Sequence, residues 1–157
     1  MLSTMSLGCY TPLAESHMAE YFISSDPGML DREFIVRSLQ STYWAGDRSR
    51  DDILKSLDAS ICFGAYQANS RQQVGIARVI SDQATFSWLC DVFVDPAHRN
   101  LGLGKQMISH LLADPRLVKT RMHLATNDAH GLYERFGFAR CEFMRRPSQP
   151  NQSRLKR

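Results

Sequence analysis

Asp91-Val92-Phe93-Val94-Asp95-Pro96-Ala97-His98-Arg99-Asn100-Leu101-Gly102-Leu103-Gly104-Lys105 is the stretch on which the reading of this chain turns. An apolar run stops at a proline, a short polar turn follows, and two glycines open a second apolar run. In that run Leu103, Met107, Ile108, Leu111 and Leu112 fall on one helical stripe. The order is strand, turn, helix. A helix N-terminus leaves backbone N–H groups unpaired and carries a partial positive charge, and phosphates bind there. Glycine lets such a group approach the main chain with no Cβ in the way. The segment therefore predicts a phosphate-bearing ligand on the turn after Val94. A Walker loop fails, because Arg99 stands where its first glycine belongs and Gln106 where its Ser or Thr belongs. A dinucleotide-binding glycine fingerprint fails as well, since Met107 occupies its third glycine position.

Working outward, the chain alternates short strand-like and helix-like runs. Glu20 to Ser24 is a strand candidate, closed by the turn signal Asp26-Pro27-Gly28. Asp31 to Leu39 and Arg50 to Leu57 carry helix-spaced apolar residues, separated by the break Ser41-Thr42-Tyr43-Trp44-Ala45-Gly46. Ser60 to Tyr66, Val74 to Ser81 and Thr85 to Asp95 predict an antiparallel meander with polar turns between the strands. After the Leu103 to Leu112 helix, a strand is expected over Arg121 to Ala125, a helix over Ala129 to Phe136 and a last strand over Phe138 to Met144. The expected fold class is α/β of the α+β type: a mixed, largely antiparallel sheet flanked by about four helices. Residues 18–146 are expected to form the domain, with a loose extension over 1–17 and a basic disordered tail over 147–157.

Composition narrows the function classes. The 157 residues are 43% hydrophobic and 22% charged with a net charge of +3, as in ordinary soluble globular proteins. No apolar run reaches the ~20 residues of a membrane-spanning helix, so no membrane partner is expected. The densest basic cluster, Arg145, Arg146, Arg154, Lys156 and Arg157, lies among Pro, Ser, Gln and Asn and reads as a solvated tail rather than a nucleic-acid arm. Cys9, Cys62, Cys90 and Cys141 have no metal-ligand spacing, and His98 has no second ligand at helical or turn spacing. No metal is expected, and the cysteines suit a reduced, cytoplasmic protein.

Two motifs carry a family resemblance. Arg99-Asn100-Leu101-Gly102-Leu103-Gly104 resembles the pyrophosphate loop of the GNAT superfamily of N-acetyltransferases, and stands between an apolar strand and a long helix as it does there. Ala129-His130-Gly131-Leu132-Tyr133-Glu134-Arg135-Phe136-Gly137-Phe138 resembles a second segment of that family, in the family's order. The succession of elements from Glu20 to Met144 follows it too.

The resemblance implies acetyl-CoA as acetyl donor and a primary amine of a small molecule or peptide as acceptor. It implies that the backbone of Val92, Phe93 and Val94 pairs with the pantetheine arm and points an N–H at the thioester carbonyl. It implies that amides from Arg99, Asn100, Leu101, Gly102, Leu103 and Gly104 hold the pyrophosphate, with charge from Arg99 or Lys105. Tyr133 matches the tyrosine that protonates the departing thiolate in many members. Many members also carry an asparagine seven residues earlier; here that place is Thr126, with Asn127 beside it as the candidate contact. Tyr43 and Trp44 fall in the loop that often lines the acceptor pocket. An amine with a pKa near ~10 must lose a proton before it attacks, and Asp91 is the expected base, with Asp128 and His130 as alternatives. The resemblance allows a homodimer. A non-catalytic CoA-binding sensor of the same fold is the competing reading.

Overall fold

Tyr21–Ser24 forms the first strand, β1, of a computed structural model that describes residues 20–146. The expected extension over 1–17 and the expected tail over 147–157 lie outside the described residues. The chain divides after Thr126 into two compact units. The first holds β1, α1 (Arg32–Gln40), α2 (Arg50–Asp58), β2 (Ile61–Gln67), β3 (Gln73–Ser81), β4 (Phe86–Val94), α3 (Leu103–Leu112) and β5 (Arg121–Leu124). The second holds α4 (His130–Glu134).

The first two helices start at side-chain caps. The Asp31 carboxylate accepts the Phe34 N–H at 2.9 Å and caps α1. The Ser49 hydroxyl accepts the Asp52 N–H at 3.1 Å and caps α2. Caps of this kind are each worth about 1 kcal/mol. The sheet runs in the order β1-β2-β3-β4-β5. Its first three pairings are antiparallel and β4 with β5 is parallel, so the last pair needs a crossover, which α3 supplies. The turn between β3 and β4 is held by Asp82, whose carboxylate accepts N–H groups of Ala84, Thr85 and Phe86. Those bonds hold its pKa well below the usual carboxylate range.

Side-chain alternation splits the core into two faces. On one, Phe34, Ile35, Leu39, Ala45, Ile53 and Leu57 of the α1–α2 segment pack in one cluster with Cys62, Ile76 and Phe93 of the sheet. On the other, α3 presses so close that a Cβ at Gly75 would stand 3.1 Å from the Met107 sulfur. Leu103, Met107, Ile108 and Leu111 are buried on α3.

One expectation is corrected. Residues 138–146 form no strand. Alternation of apolar and polar residues makes a strand only where a neighbouring strand accepts the ladder, and this segment has none among the sheet's pairings. Phe138 instead sets its ring edge-on to Tyr133 at 5.8 Å.

Candidate active site

The site is built by a defect in β4. Along β3 and β4, Arg78 pairs with Cys90 and Ile76 with Phe93, so β4 spends one residue more than β3 between the two pairs. The extra residue is a bulge, and Asp91 sits in it with φ +53°. A left-handed conformation at a non-glycine residue costs on the order of 1–3 kcal/mol. The pairing of β4 with β5 is lost at the same place: its register runs from Phe86 opposite Arg121 to Leu89 opposite Leu124 and stops. Beyond Leu89 no strand among the described residues pairs with the edge of β4 that faced β5, and in that sense the edge is open.

Which peptide groups line that open edge follows from alternation. The Asp95 N–H donates to the Val74 carbonyl across to β3 at 2.8 Å. Successive strand residues point their peptide groups to opposite edges, so those of Val94 and Val92 point to the open side and that of Phe93 to β3. The Val94 carbonyl is already engaged, because Arg99 Nε donates to it at 2.9 Å. The Arg99 guanidinium also lies 5.7 Å from the centre of the Phe93 ring. Arg99 thus fastens the turn to the strand, and Val94 has its N–H left to offer.

The open edge runs directly into the turn. Asp95 accepts the Ala97 N–H at 2.9 Å, shaping a short helical turn, Pro96–His98, and Tyr21 of β1 meets His98 Nδ1 at 2.8 Å through its hydroxyl. Asn100 and Gly102 then take left-handed conformations, φ +63° and +77°, with Leu101 between them. Such alternation turns successive N–H groups into one concavity, an anion-binding shape. Gly102 caps α3 without a side chain, and the first intrahelical bond is Gln106 N–H to the Gly102 carbonyl at 3.1 Å. The N–H groups of Leu103, Gly104 and Lys105 therefore have no acceptor within the helix. Among the described residues, a Cβ built at Gly102 or Gly104 meets nothing within 4 Å. That is the fit expected for a diphosphate-bearing ligand: room before the glycines, donors pointing at the room, and the helix dipole behind them.

Asp91, the expected base, is placed differently from a free carboxylate. Its side chain is 1% exposed. Arg48 Nη1 donates to both of its oxygens at 2.9 Å, and Arg78 Nε donates to Oδ2 at 2.8 Å. Arg78 is itself buried and also donates to the Ser60 hydroxyl at 3.0 Å. Neither arginine was singled out from the sequence. The available signal was a charged residue in each of two neighbouring apolar strands, Arg78 within Val74–Ile80 and Asp91 within Leu89–Val94. Charges at such positions are rarely buried unless they meet. Cys62 and Cys90 are the residues paired with Arg78 in the strands on either side of it. Burial pushes both thiols up to about 11, which suits packing rather than nucleophilic attack.

Tyr43 and Trp44 lie in the α1–α2 connection, 67% and 40% exposed, with rings edge-to-face at 4.9 Å. In the second unit, Tyr133 is buried on α4, and burial, with the Asp128 carboxylate adding to it, pushes its phenol up to about 12. Asn127 and Asp128 are exposed and His130 is half-buried. Among the described residues no group of three or more His, Cys, Asp or Glu side chains is arranged to hold a metal ion. No helix among them is long and apolar enough to cross a membrane.

Comparison with known proteins bears on the family and the fold. Residues 58–140 match the family described as acetyltransferase (GNAT) domain. A Gibberella zeae protein named as an acetyltransferase is 32% identical over 133 residues, covering 67% of this chain and 75% of its own length. The crystal structure of a GNAT-family protein from Xanthomonas campestris pv. campestris superposes with a TM-score of 0.77 at 41% identity, covering 82% of this chain and 93% of that one. Glucosamine-6-phosphate N-acetyltransferase from Arabidopsis thaliana shares the fold at a TM-score of 0.63 and 14% identity, with 82% and 97% of the two chains covered.

Proposed function

The chain belongs to the GNAT family of acetyltransferases, and from that premise we propose that it moves the acetyl group of acetyl-CoA directly onto a primary amine of a small molecule or peptide. The observation that carries this reading is the continuity of the open β4 edge with the uncapped glycine turn. An edge of strand followed by a helix N-terminus matches a ligand whose one end is an amide-bearing arm and whose other end is a diphosphate.

In this reading the Val92 and Val94 N–H groups pair with the arm, and one of them faces the thioester oxygen as charge develops there. The N–H groups from Asn100 to Lys105 take the diphosphate, while Lys105, exposed on the first turn of α3, adds charge at its rim. Asn127 remains a candidate contact for the arm. Tyr43 and Trp44 receive the amine.

Tyr133 acts on the sulfur. With a pKa near 12 it stays protonated at physiological pH, so it is always present as a hydrogen-bond donor. Full transfer of its proton to a thiolate of ordinary pKa, about 8.5, is uphill by roughly three units, or about 4–5 kcal/mol. Its contribution is therefore to steady the thiolate through a hydrogen bond, while the proton that completes the thiol comes in net terms from the attacking amine. Asp91, with both oxygens held by guanidinium groups, is a strand anchor in this reading, and the amine's first proton leaves through water. The three free cysteines among the described residues, Cys62, Cys90 and Cys141, suit a cytoplasmic setting, and a homodimer is retained from the family resemblance, to be checked by sedimentation.

The test is a thermal-shift titration with acetyl-CoA, CoA, ATP and NAD in parallel, followed by an amine screen. A ligand specific to the folded state adds about 2.7 kcal/mol at a hundredfold excess over Kd. Shifts with both CoA species but not with ATP or NAD, and thiol release that depends on added amine, are expected. Absence of a CoA shift overturns the ligand assignment; CoA binding without amine-dependent thiol release leaves a binding protein rather than a transferase.

A further inference from the structure

We propose that Arg48 and Asp91 form a strut that fixes the aromatic loop between α1 and α2 against the reaction strand, and that Arg48 is thereby a positioning residue for the acceptor. The inference rests on the transfer reading for its kinetic consequence, though not for its structural one.

The start of the loop is tied back to α1 by Thr42, whose N–H and hydroxyl both donate to the Leu39 carbonyl. The part after Trp44 is held by Ala45 and Arg48. Ala45 is fully buried in the core cluster. Arg48 is the second anchor: its N–H donates to the Ala45 carbonyl at 3.1 Å, its carbonyl accepts from Gln40 Nε2 at 3.1 Å, and its guanidinium ends on Asp91. Immediately before these anchors stand Tyr43 and Trp44, exposed yet set in a defined edge-to-face pair. The other end of the strut is the bulge residue of β4, next to the Val92 peptide on the open edge. A single ion pair therefore joins the loop proposed to receive the amine to the strand proposed to hold the thioester.

The stoichiometry separates this role from folding. One carboxylate meets two guanidiniums, and the two differ in burial: the Arg48 side chain is 33% exposed and that of Arg78 is 8%. Removing Arg48 leaves the Asp91 charge paired with Arg78, so no buried ion is stranded. Removing Asp91 strands Arg78, and an uncompensated buried charge is strongly destabilising. Arg48 is thus the member that is free to serve the loop.

The experiment uses the full chain carrying Trp88→Phe, which makes Trp44 the sole tryptophan. Arg48→Ala and Arg48→Lys are compared by acrylamide quenching of Trp44, by the thermal shift with CoA, and by steady-state kinetics on whichever of spermidine, L-lysine and benzylamine the parent turns over best. Arg48→Ala is expected to raise the quenching constant about twofold and the amine KM about tenfold, with the acetyl-CoA KM within about twofold of the parent. Arg48→Lys keeps a cation of shorter reach and is expected to recover part of both. Quenching unchanged in Arg48→Ala overturns the strut. Raised quenching with an unchanged amine KM overturns the positioning role. A parent that turns over no amine refutes the transfer reading instead, and the quenching result still decides the strut.

Discussion

Replacing Gly104 by alanine is expected to move stability and ligand binding in opposite directions. Gly104 is a helical residue with ordinary backbone geometry, and a Cβ added there meets nothing among the described residues within 4 Å. The folded chain therefore accommodates the methyl group without strain, and loses the entropic penalty of a helical glycine, a gain of up to about 0.5–1 kcal/mol. For a domain of this size that is a rise in Tm of about 2–4 °C. The same open space is where the diphosphate is proposed to lie, against the unpaired N–H groups of the first turn. A methyl group there holds the phosphates off their donors, for which a tenfold weaker Kd, about 1.4 kcal/mol, is a modest estimate. At a CoA concentration a hundredfold above the parent's Kd, the parent gains about 2.7 kcal/mol and the variant, at tenfold excess, about 1.4. The variant then melts above the parent without CoA and at or below it with saturating CoA. Differential scanning fluorimetry across a CoA series reads both effects in one experiment. A variant whose Tm rises and whose CoA response matches the parent's refutes the assignment of this space to the ligand. Gly102→Ala supplies the contrast: at φ +77° the substitution costs about 1 kcal/mol or more, so Tm and affinity both fall.

Other expectations are checked separately. Tyr133→Phe is expected to lower kcat at least about tenfold with CoA affinity unchanged; an unaltered kcat reduces Tyr133 to packing against Phe138. With no protein base, kcat/KM for the amine rises about tenfold per pH unit from pH 6.5 to 9, whereas a plateau near neutrality indicates a titrating side chain. Chemical denaturation at high pH reads the buried acids. Folded pKa values raised to about 11 for Cys62 and Cys90 and about 12 for Tyr66 and Tyr133 mean that the folded state holds protons the unfolded chain releases. Their contribution is therefore full below about pH 8.5 and lost as pH climbs to 11–12, with a slope of about 1.4 kcal/mol per pH unit for each proton; a flat stability profile over that window contradicts the burial. Tyr66→Phe removes a buried hydroxyl that has no hydrogen-bond partner among the described residues and is expected to leave stability equal or raise it by about 1 kcal/mol. A clear loss shows that the hydroxyl is satisfied in solution.

The fold was legible where local chemistry repeats. The helix of Leu103 to Leu112 was recoverable because its apolar residues follow the helical period and its start is marked by glycine. The meander was recoverable because polar turns separate β2, β3 and β4. The glycine turn could be read from residue types alone, since donors without acceptors are a property of any helix start. What could not be read depends on partners distant in sequence. Asp91 looks like a strand carboxylate free to act as a base until the bulge turns it toward Arg48, 43 residues away, and Arg78. The segment from Phe138 to Met144 alternates like a strand, yet alternation says nothing about whether a pairing edge is at hand. Nor could the sequence announce that Arg99, read as a phosphate ligand, spends its Nε on the Val94 carbonyl.

The extra residue in β4 makes the strand's length a functional quantity. Most positions of this chain should tolerate exchange of one side chain for another more readily than this region tolerates a change in count. Deleting a single residue between Cys90 and Phe93 restores one-for-one pairing with β3: Phe93 still stands opposite Ile76 and Val94 opposite Gly75, so the later residues keep their facing while the bend is lost. Val94 keeps its N–H on the side away from β3, and the strand, no longer bent, is straight enough to continue its ladder along β5. The gap is sealed by the same hydrogen bonds that hold the rest of the sheet together. A lineage carrying this fold would thus show insertions and deletions in its turns long before it showed one here, and a designed variant without the bulge would be more regular and closed.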